Sequence, residues 1–464
     1  MLVQIPFKFF KKILGHSHVD LHSLDATAPS DLEKIFSWVI TPDLLVAPSG
    51  MRKRHFTLPI VFWGFLSQVL NPFSSCREAL RQIQSKQYKK AKTVSDSNTS
   101  GYCQARAKIP LEHLEKILKK TSSSLVNRVC SDVVDRPLRL LDCTSFSMPD
   151  TPELQEVYPQ IPSQKKGCGF PLVKVGAVFN AATGGLQDYE LGPWKTHDAR
   201  LGKKLVPKLP PNSIVIADRG FSGFAMLQAL RENQCDFVGR LHQNRKVDFK
   251  KAKKLAPNDW LVSLDKPKRI PAGMSPEDYD LLPEFMLVRV IHFKISHKGF
   301  RCSMITLCTT LLDESAYPAQ KIAELFGIRW EIETDFRHLK ITLGMDVLRC
   351  LSPEMIHREI LMNFIAYNLI RGLMIEAAER SQQPLSRISF KGTVDTLRQW
   401  TPLIAQEKNK KKRNQLIDSL LQIIASDPVA YRLRHSPRVV KKRPKPYGIL
   451  TCPRRLYKTS LQRN

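Results

Sequence analysis

The alternation of apolar and polar positions changes character along the chain. Up to about residue 128 it reads as helical. Leu58 to Leu70 is an apolar run of about 13 residues that carries Gln68. A membrane span needs about 20, so this run predicts a buried helix. Ser74 and Ser75 are placed to cap a helix through Gln82, followed by the Lys-rich stretch Lys86 to Lys92. After the polar break Ser95 to Ser100 a second helix is expected over Gly101 to Lys108, and then the amphipathic run Leu111 to Leu118 behind Pro110. Two short helices around a polar turn fit a helix-turn-helix, although helical pairs of this sort are more often ordinary packing.

At Pro137 the period shortens. Leu138 to Met148, Val173 to Phe179 and Leu186 to Leu191 read as strands, and Ala199 to Leu209 as a helix. Ser213 to Ala217 is wholly apolar but for its serine, as expected of a buried parallel strand. Gly220 makes a turn, Ser222 is the expected cap of a helix over Gly223 to Asn233, and Cys235 to Leu241 is a further strand. Three strands followed by helix, strand, helix and strand predict a mixed α/β sheet. Residues 242–312 hold Lys-rich and Pro-rich segments, then the alternating runs Phe285 to Phe293 and Cys302 to Cys308, and read as β-rich. One long helix is expected from Ala319 to Leu343, and residues 351–425 read as helical.

Composition narrows the partner. Apolar residues make up 42% of the 464, enough for a sizeable core. The formal net charge is +29, from 72 Lys and Arg against 43 Asp and Glu. That excess implies a polyanion, with nucleic acid ahead of an anionic membrane surface. The segment around Phe9, Phe10, Lys11 and Lys12 has no signal-peptide pattern, and the ten cysteines include no CxxC pair, so a reducing cytoplasm is expected. From Pro428 onward the chain carries eleven Lys or Arg and no acid, including Lys441, Lys442 and Arg443, and this tail is expected to lie on phosphate.

With a nucleic acid in view, the carboxylates matter. Cleaving or joining a phosphodiester builds negative charge on the entering and leaving oxygens, and two divalent ions held by two or three carboxylates can neutralise it. Asp142 lies inside a largely apolar strand, where an acid is costly without a compensating cation or donor, although a strand-edge acid facing water fits as well. Asp218 ends the Ser213 to Ala217 strand, where ligand sites of α/β sheets collect, although turn chemistry alone also places Asp before Gly220. Glu333 is singled out by helical geometry. At about 100° per residue, Ile322, Leu325, Ile328, Ile332, Phe336, Leu339 and Leu343 form the core stripe. Phe326, Arg329, Glu333, Arg337 and Lys340 fall in an adjoining arc, and Glu324, Glu331, Asp335 and His338 on the far, solvent-facing side. One acid amid three cations is also what i,i+4 salt bridging Arg329–Glu333–Arg337 would give.

These residues resemble a family. The DDE transposases of the insertion-sequence-four group carry a Tyr-x2-Arg-x3-Glu-x6-Lys signature, and Phe326, Arg329, Glu333 and Lys340 stand at those spacings in FGIRWEIETDFRHLK. The family's Asp-x-Thr/Ser element is matched by Asp142-Cys143-Thr144, and its Ala-Asp-Arg-Gly-Phe-like element by Ala217 to Phe221. About 115 residues separate Asp218 from Glu333, room for the family's β-rich insertion, and the basic KKRPKPY (Lys441 to Tyr447) is similar to the group's tails. Phe326 replaces the signature tyrosine, so one hydroxyl contact to DNA is absent.

The resemblance implies an RNase H-like mixed sheet core interrupted by a β-rich insertion, with helical N-terminal and C-terminal regions. The expected division is 1–128 (DNA-binding), 129–241 (core), 242–312 (insertion), 313–350 (catalytic helix) and 351–464 (helices and tail). It further implies that Asp142, Asp218 and Glu333 hold two Mg²⁺, with Mn²⁺ a substitute, and that Arg329, Lys340, Lys441, Lys442 and Arg443 bind DNA, with Arg337 a further candidate. Trp194 and Trp330 are possible base-stacking residues. The implied activity is cut-and-paste transposition by hydrolysis and strand transfer at terminal inverted repeats, in the cytoplasm at the nucleoid. The working form is a homodimer on double-stranded transposon-end and target DNA, without a membrane. The alternatives are a metal-dependent nuclease of the same fold and a catalytically silent DNA-binding derivative.

Overall fold

The computed structural model describes residues 31–47, 56–91, 98–126, 135–245, 247–271, 274–294, 304–429, 449–453 and 456. Five helices come first: α1 (Asp31–Phe36), α2 (Leu58–Leu70), α3 (Cys76–Ala91), α4 (Ser100–Ala107) and α5 (Leu111–Val126). The apolar run of the sequence is α2, starting at Leu58 and ending at Leu70. Helix α3 runs beyond Gln82 into the Lys-rich stretch, because long Lys, Gln and Arg side chains extend a helix at little cost.

The sheet follows. Strands β1 (Leu138–Ser147), β2 (Leu172–Asn180) and β3 (Leu186–Pro193) form an antiparallel meander, with α6 (Pro152–Val157) between the first two. Helix α7 (Asp198–Leu205) leads to β4 (Ile214–Ala217), and α8 (Phe224–Glu232) to β5 (Asp236–Arg240); β1, β4 and β5 run parallel. All four residues of β4 are buried, which is why that strand is apolar on both faces. The cap of α8 is Gly223, and Ser222 instead donates its hydroxyl to the Arg219 carbonyl at 2.9 Å, closing the turn after Asp218.

Strands β6 (Lys253–Ala256), β7 (Asp259–Asp265), β8 (Phe285–Lys294) and β9 (Met304–Thr309), with α9 (Pro276–Asp280) before β8, supply the β-rich segment. They extend the same sheet, because β9 pairs antiparallel with β5. The order is β3-β2-β1-β4-β5-β9-β8-β7-β6.

The expected single helix after this is three pieces. Helices α10 (Ala319–Gly327) and α11 (Trp330–Arg337) are separated by a turn at Ile328 and Arg329, and a π-helical turn, His338–Thr342, continues α11. Gly344 then adopts φ +71, and a Cβ there would lie 2.5 Å from Pro72 Cβ, so glycine is required both by conformation and by space. Last come α12 (Pro353–Ser381), α13 (Phe390–Gln406) and α14 (Lys410–Ser426).

Helix α12 is buried on nearly all sides because it is surrounded: α2, α5, α13 and α14 all pack on it. It is long and apolar enough to cross a membrane, with a mean hydropathy of 1.3 over its most apolar window, yet that window is wholly buried inside the protein. Asn368 on α12 accepts from Leu186 N–H and donates to Leu186 C=O, both at 2.8 Å, tying the helix to edge strand β3. One face of the sheet and α10 to α14 share an apolar cluster with α1, α2 and α5; the other face packs under α7 and α8.

Candidate active site

The two aspartates arrive by strand alternation. Leu138, Leu140 and Phe146 of β1 face the cluster shared with α10 to α12, whereas Leu141 faces α7 and α8. Asp142 is therefore on the face of Leu140. On β4, Ile214 and Ile216 face the first cluster and Val215 and Ala217 the second. Asp218 keeps an extended backbone (φ −78, ψ 169) and falls on the side of Ile216. The parallel register matches Leu141 with Ala217, so the next residues, Asp142 and Asp218, stand side by side on strands about 4.8 Å apart.

Their electrostatics are strained. Burial pushes the Asp142 carboxyl up to about 6; the Cys143 N–H, donating at 2.8 Å, and the Arg329 guanidinium oppose the rise, and the charges of Asp218 and Asp198 add to it. Asp198 is occupied elsewhere, by Lys174 at 2.8 Å. Among the described residues no hydrogen bond or ion pair reaches the Asp218 carboxylate.

Glu333 comes from α11, whose core stripe behaves as its periodicity requires: Ile322, Leu325, Ile328, Ile332, Phe336, Leu339 and Leu343 are all buried. Arg329, in the turn before α11, bonds Glu333 Oε1 at 3.0 Å, and its guanidinium lies 5.0 Å from the Trp330 ring centroid and 5.8 Å from that of Phe326. Since Arg329 also acts on Asp142, it connects the glutamate to the aspartate pair. Arg337 is exposed and makes no ion pair with Glu333, so only half of the expected salt-bridge ladder forms. Lys340 lies over the Phe146 ring at 5.5 Å, on the β1 face that carries Asp142. Lys441, Lys442 and Arg443 lie outside the described residues.

The far side of the helix is not a solvent face. Asp335 is buried and accepts a hydrogen bond from Tyr367 Oη of α12 at 2.9 Å; the same hydroxyl reaches the Gly184 carbonyl at 2.7 Å. His338 stacks on Phe390 of α13 with centroids 4.4 Å apart, and burial, with the Arg371 and Arg337 charges, lowers its pKa to about 3, so it stays neutral. Helical periodicity places polar residues on a face but does not say whether later helices cover it. Nothing local in the sequence marked Tyr367 or Phe390 as its partners.

An acid pair with too few donors, on adjacent parallel strands, suits hard divalent cations, which take carboxylate oxygens. Among the described residues, however, no three carboxylate, histidine or cysteine side chains form a ready metal site. Glu333 is turned to Arg329, whose positive charge also acts on Asp142.

The comparisons with known proteins agree with this chemistry. The family described as Transposase DDE domain matches residues 134–369, which contain all three acids and the helix between them and α12. The chain belongs to the DDE transposases, in the insertion-sequence-four family. It is similar to the transposase InsG for insertion sequence element IS4 of Escherichia coli, at 24% identity over 88% of this chain and 92% of that one. It is also similar to the putative transposase for insertion sequence element IS4SA of Synechocystis, at 28% identity over 45% of this chain and 55% of the relative. A solved piggyBac transposase synaptic complex with hairpin DNA aligns over 90% of this chain and 88% of that one with a TM-score of 0.43 and 12% identity, too distant to define the fold. The chain is a DNA transposase, an enzyme that cleaves DNA and transfers phosphoryl groups.

Proposed function

We propose that this transposase excises and inserts its element by a cut-and-paste route, with Asp142, Asp218 and Glu333 as the metal-binding catalytic residues and Mg²⁺ as the ion. The observation that carries the reading is the side-by-side register of Asp142, midway along β1, and Asp218, just past the end of parallel β4, with Arg329 acting on both Asp142 and Glu333. The core is RNase H-like on this reading. Its support is the order β3-β2-β1-β4-β5, with β2 antiparallel to both neighbours and β1, β4 and β5 parallel. The segment 242–312 is then an insertion that leaves after β5 and returns through β9, and α1 to α5 belong to an N-terminal region that recognises transposon ends.

When bound, two divalent ions would activate a water or a 3′-hydroxyl and stabilise the leaving oxygen of an in-line displacement. The chain's own residues do the rest. Asp142 and Asp218 are fixed by the sheet and need no rearrangement to present oxygens on one face. Glu333 sits on a helix locked from behind by Tyr367 and Phe390, and only its side chain must turn. Arg329 can grip a phosphate with two parallel bonds, whereas Lys340 and Arg337 act as point and fork charges farther along the same helix. The basic tail with Lys441, Lys442 and Arg443 adds sequence-independent attraction. A homodimer would bring two ends together.

The test is a strand-transfer assay with pre-cut terminal repeats in Mg²⁺. Joining that depends on all three acids supports transposition. Cleavage without joining would instead mean a nuclease of the same fold, and activity that survives Asp218→Asn would remove the acid from the site.

A further inference from the structure

Arg329 is placed to do more than bind a phosphate. It stands in the two-residue turn between α10 and α11, held against Trp330 and Phe326, and its side chain is 13% exposed. Its partner Glu333 is 48% exposed and reaches inward to it. The Nε of Arg329 is buried with no hydrogen-bond partner, so this guanidinium is held by the neighbouring aromatic rings and Glu333 rather than by a full set of acceptors. It is felt by Asp142 as well as by Glu333. Other bases nearby do not duplicate it: Arg337 makes no ion pair with Glu333, and Lys340 lies over Phe146.

We propose that Arg329 is an exchangeable internal cation: it holds Glu333 away from the aspartate pair until a DNA phosphate draws the guanidinium off, so that DNA and divalent metal bind cooperatively. This rests on the reading of Glu333 as a metal ligand. The physical case is one of competing partners. A partly exposed arginine–carboxylate pair is weak, and a DNA phosphate offers the same fork another anionic, bidentate partner. A cation entering between the three acids must break the Arg329–Glu333 bond, so anything that breaks it beforehand raises metal affinity. Linkage makes the effect reciprocal, and metal must raise affinity for DNA by the same factor. The arrangement keeps the hydrolytic site incomplete while the chain is off DNA, and Arg329 is a positioning residue for Glu333 as well as a phosphate ligand.

The experiment is calorimetric titration of the full chain with Mn²⁺, with and without a short duplex of arbitrary sequence at low salt. In the wild-type protein the duplex should tighten Mn²⁺ binding by about two- to fivefold, the range of a surface ion pair. Arg329→Gln should bind Mn²⁺ tighter by a similar factor without the duplex, and the duplex should then add only what it adds to Glu333→Gln, which reports nonspecific attraction of the ion to DNA. Equal duplex effects in wild type and Arg329→Gln would overturn the exchange. If Arg329→Gln does not fold, a wild-type Mn²⁺ affinity that the duplex changes no more than it changes that of Glu333→Gln overturns it alone. Glu333→Gln or Asp218→Asn that binds Mn²⁺ as tightly as wild type would show instead that the metal reading itself fails, and the exchange with it.

Discussion

Two acids of the same sheet, one fully buried and one half-buried, show opposite treatments. Asp259, at the start of β7, is fully buried and meets the equally buried Arg289 of β8, which grips both of its oxygens and donates also to the Tyr317 carbonyl. Its charge is answered in full inside the protein. Asp142, on β1, receives one backbone N–H at 2.8 Å, stands beside a second acid and feels Arg329 only as an arginine already engaged by Glu333. An ion pair with complete compensation is architecture; an acid left short of it in a cleft wants a ligand. Motif spacing does not separate the two, whereas the number of donors does.

Breaking each acid in turn is the sharpest way to challenge that contrast. Asp218→Asn should cost about a thousandfold or more in DNA cleavage, because charge at the reacting oxygens loses its ion, while binding of end DNA by fluorescence anisotropy and the melting temperature stay nearly unchanged. A large loss of stability would make Asp218 a structural residue like Asp259. Arg289→Ala should do the reverse. It leaves Asp259 buried and unpaired, so denaturant unfolding should register about 3–5 kcal/mol of lost stability, and a loss of only a few tenths would show the pair to be dispensable.

Asp142→Asn sharpens the comparison through pH. The folded chain raises this carboxyl from 3.8 to about 6. Between those values the unfolded chain ionises first, so stability falls as pH rises from about 4 to 6 and the penalty persists above. In metal-free buffer at pH 7.5 the asparagine variant should therefore be more stable, by up to about 2 kcal/mol after discounting for partial exposure, and the gain should vanish near pH 4. A variant less stable than wild type at pH 7.5 would mean that the acid is adequately compensated. An effect of similar size and opposite sign is expected at the back of the helix. Tyr367→Phe removes the hydroxyl shared by Asp335 and the Gly184 carbonyl and should cost about 1–3 kcal/mol by chemical denaturation. If Asp335 is indifferent to it, the helix carrying Glu333 is held by apolar packing alone.

Much was determined by local order in the sequence. The core stripe Ile322 to Leu343, the apolar strand ending at Asp218, the helix Leu58–Leu70 and the spacing of Arg329, Glu333 and Lys340 follow from periodicity, which depends on near neighbours only. Three things were not local. The break at Ile328 and Arg329 and the π turn after Arg337 are adjustments of a helix to what it packs on. The burial of Asp335 and His338 depends on Tyr367 and Phe390, dozens of residues later. The partner of Glu333 was open in the sequence, since Arg329 and Arg337 are equally spaced from it, and the packing of Arg329 against Trp330 and Phe326 chose one. A residue's period fixes which way it points, but the free energy of what it meets there is supplied by chain segments that only the tertiary fold brings together.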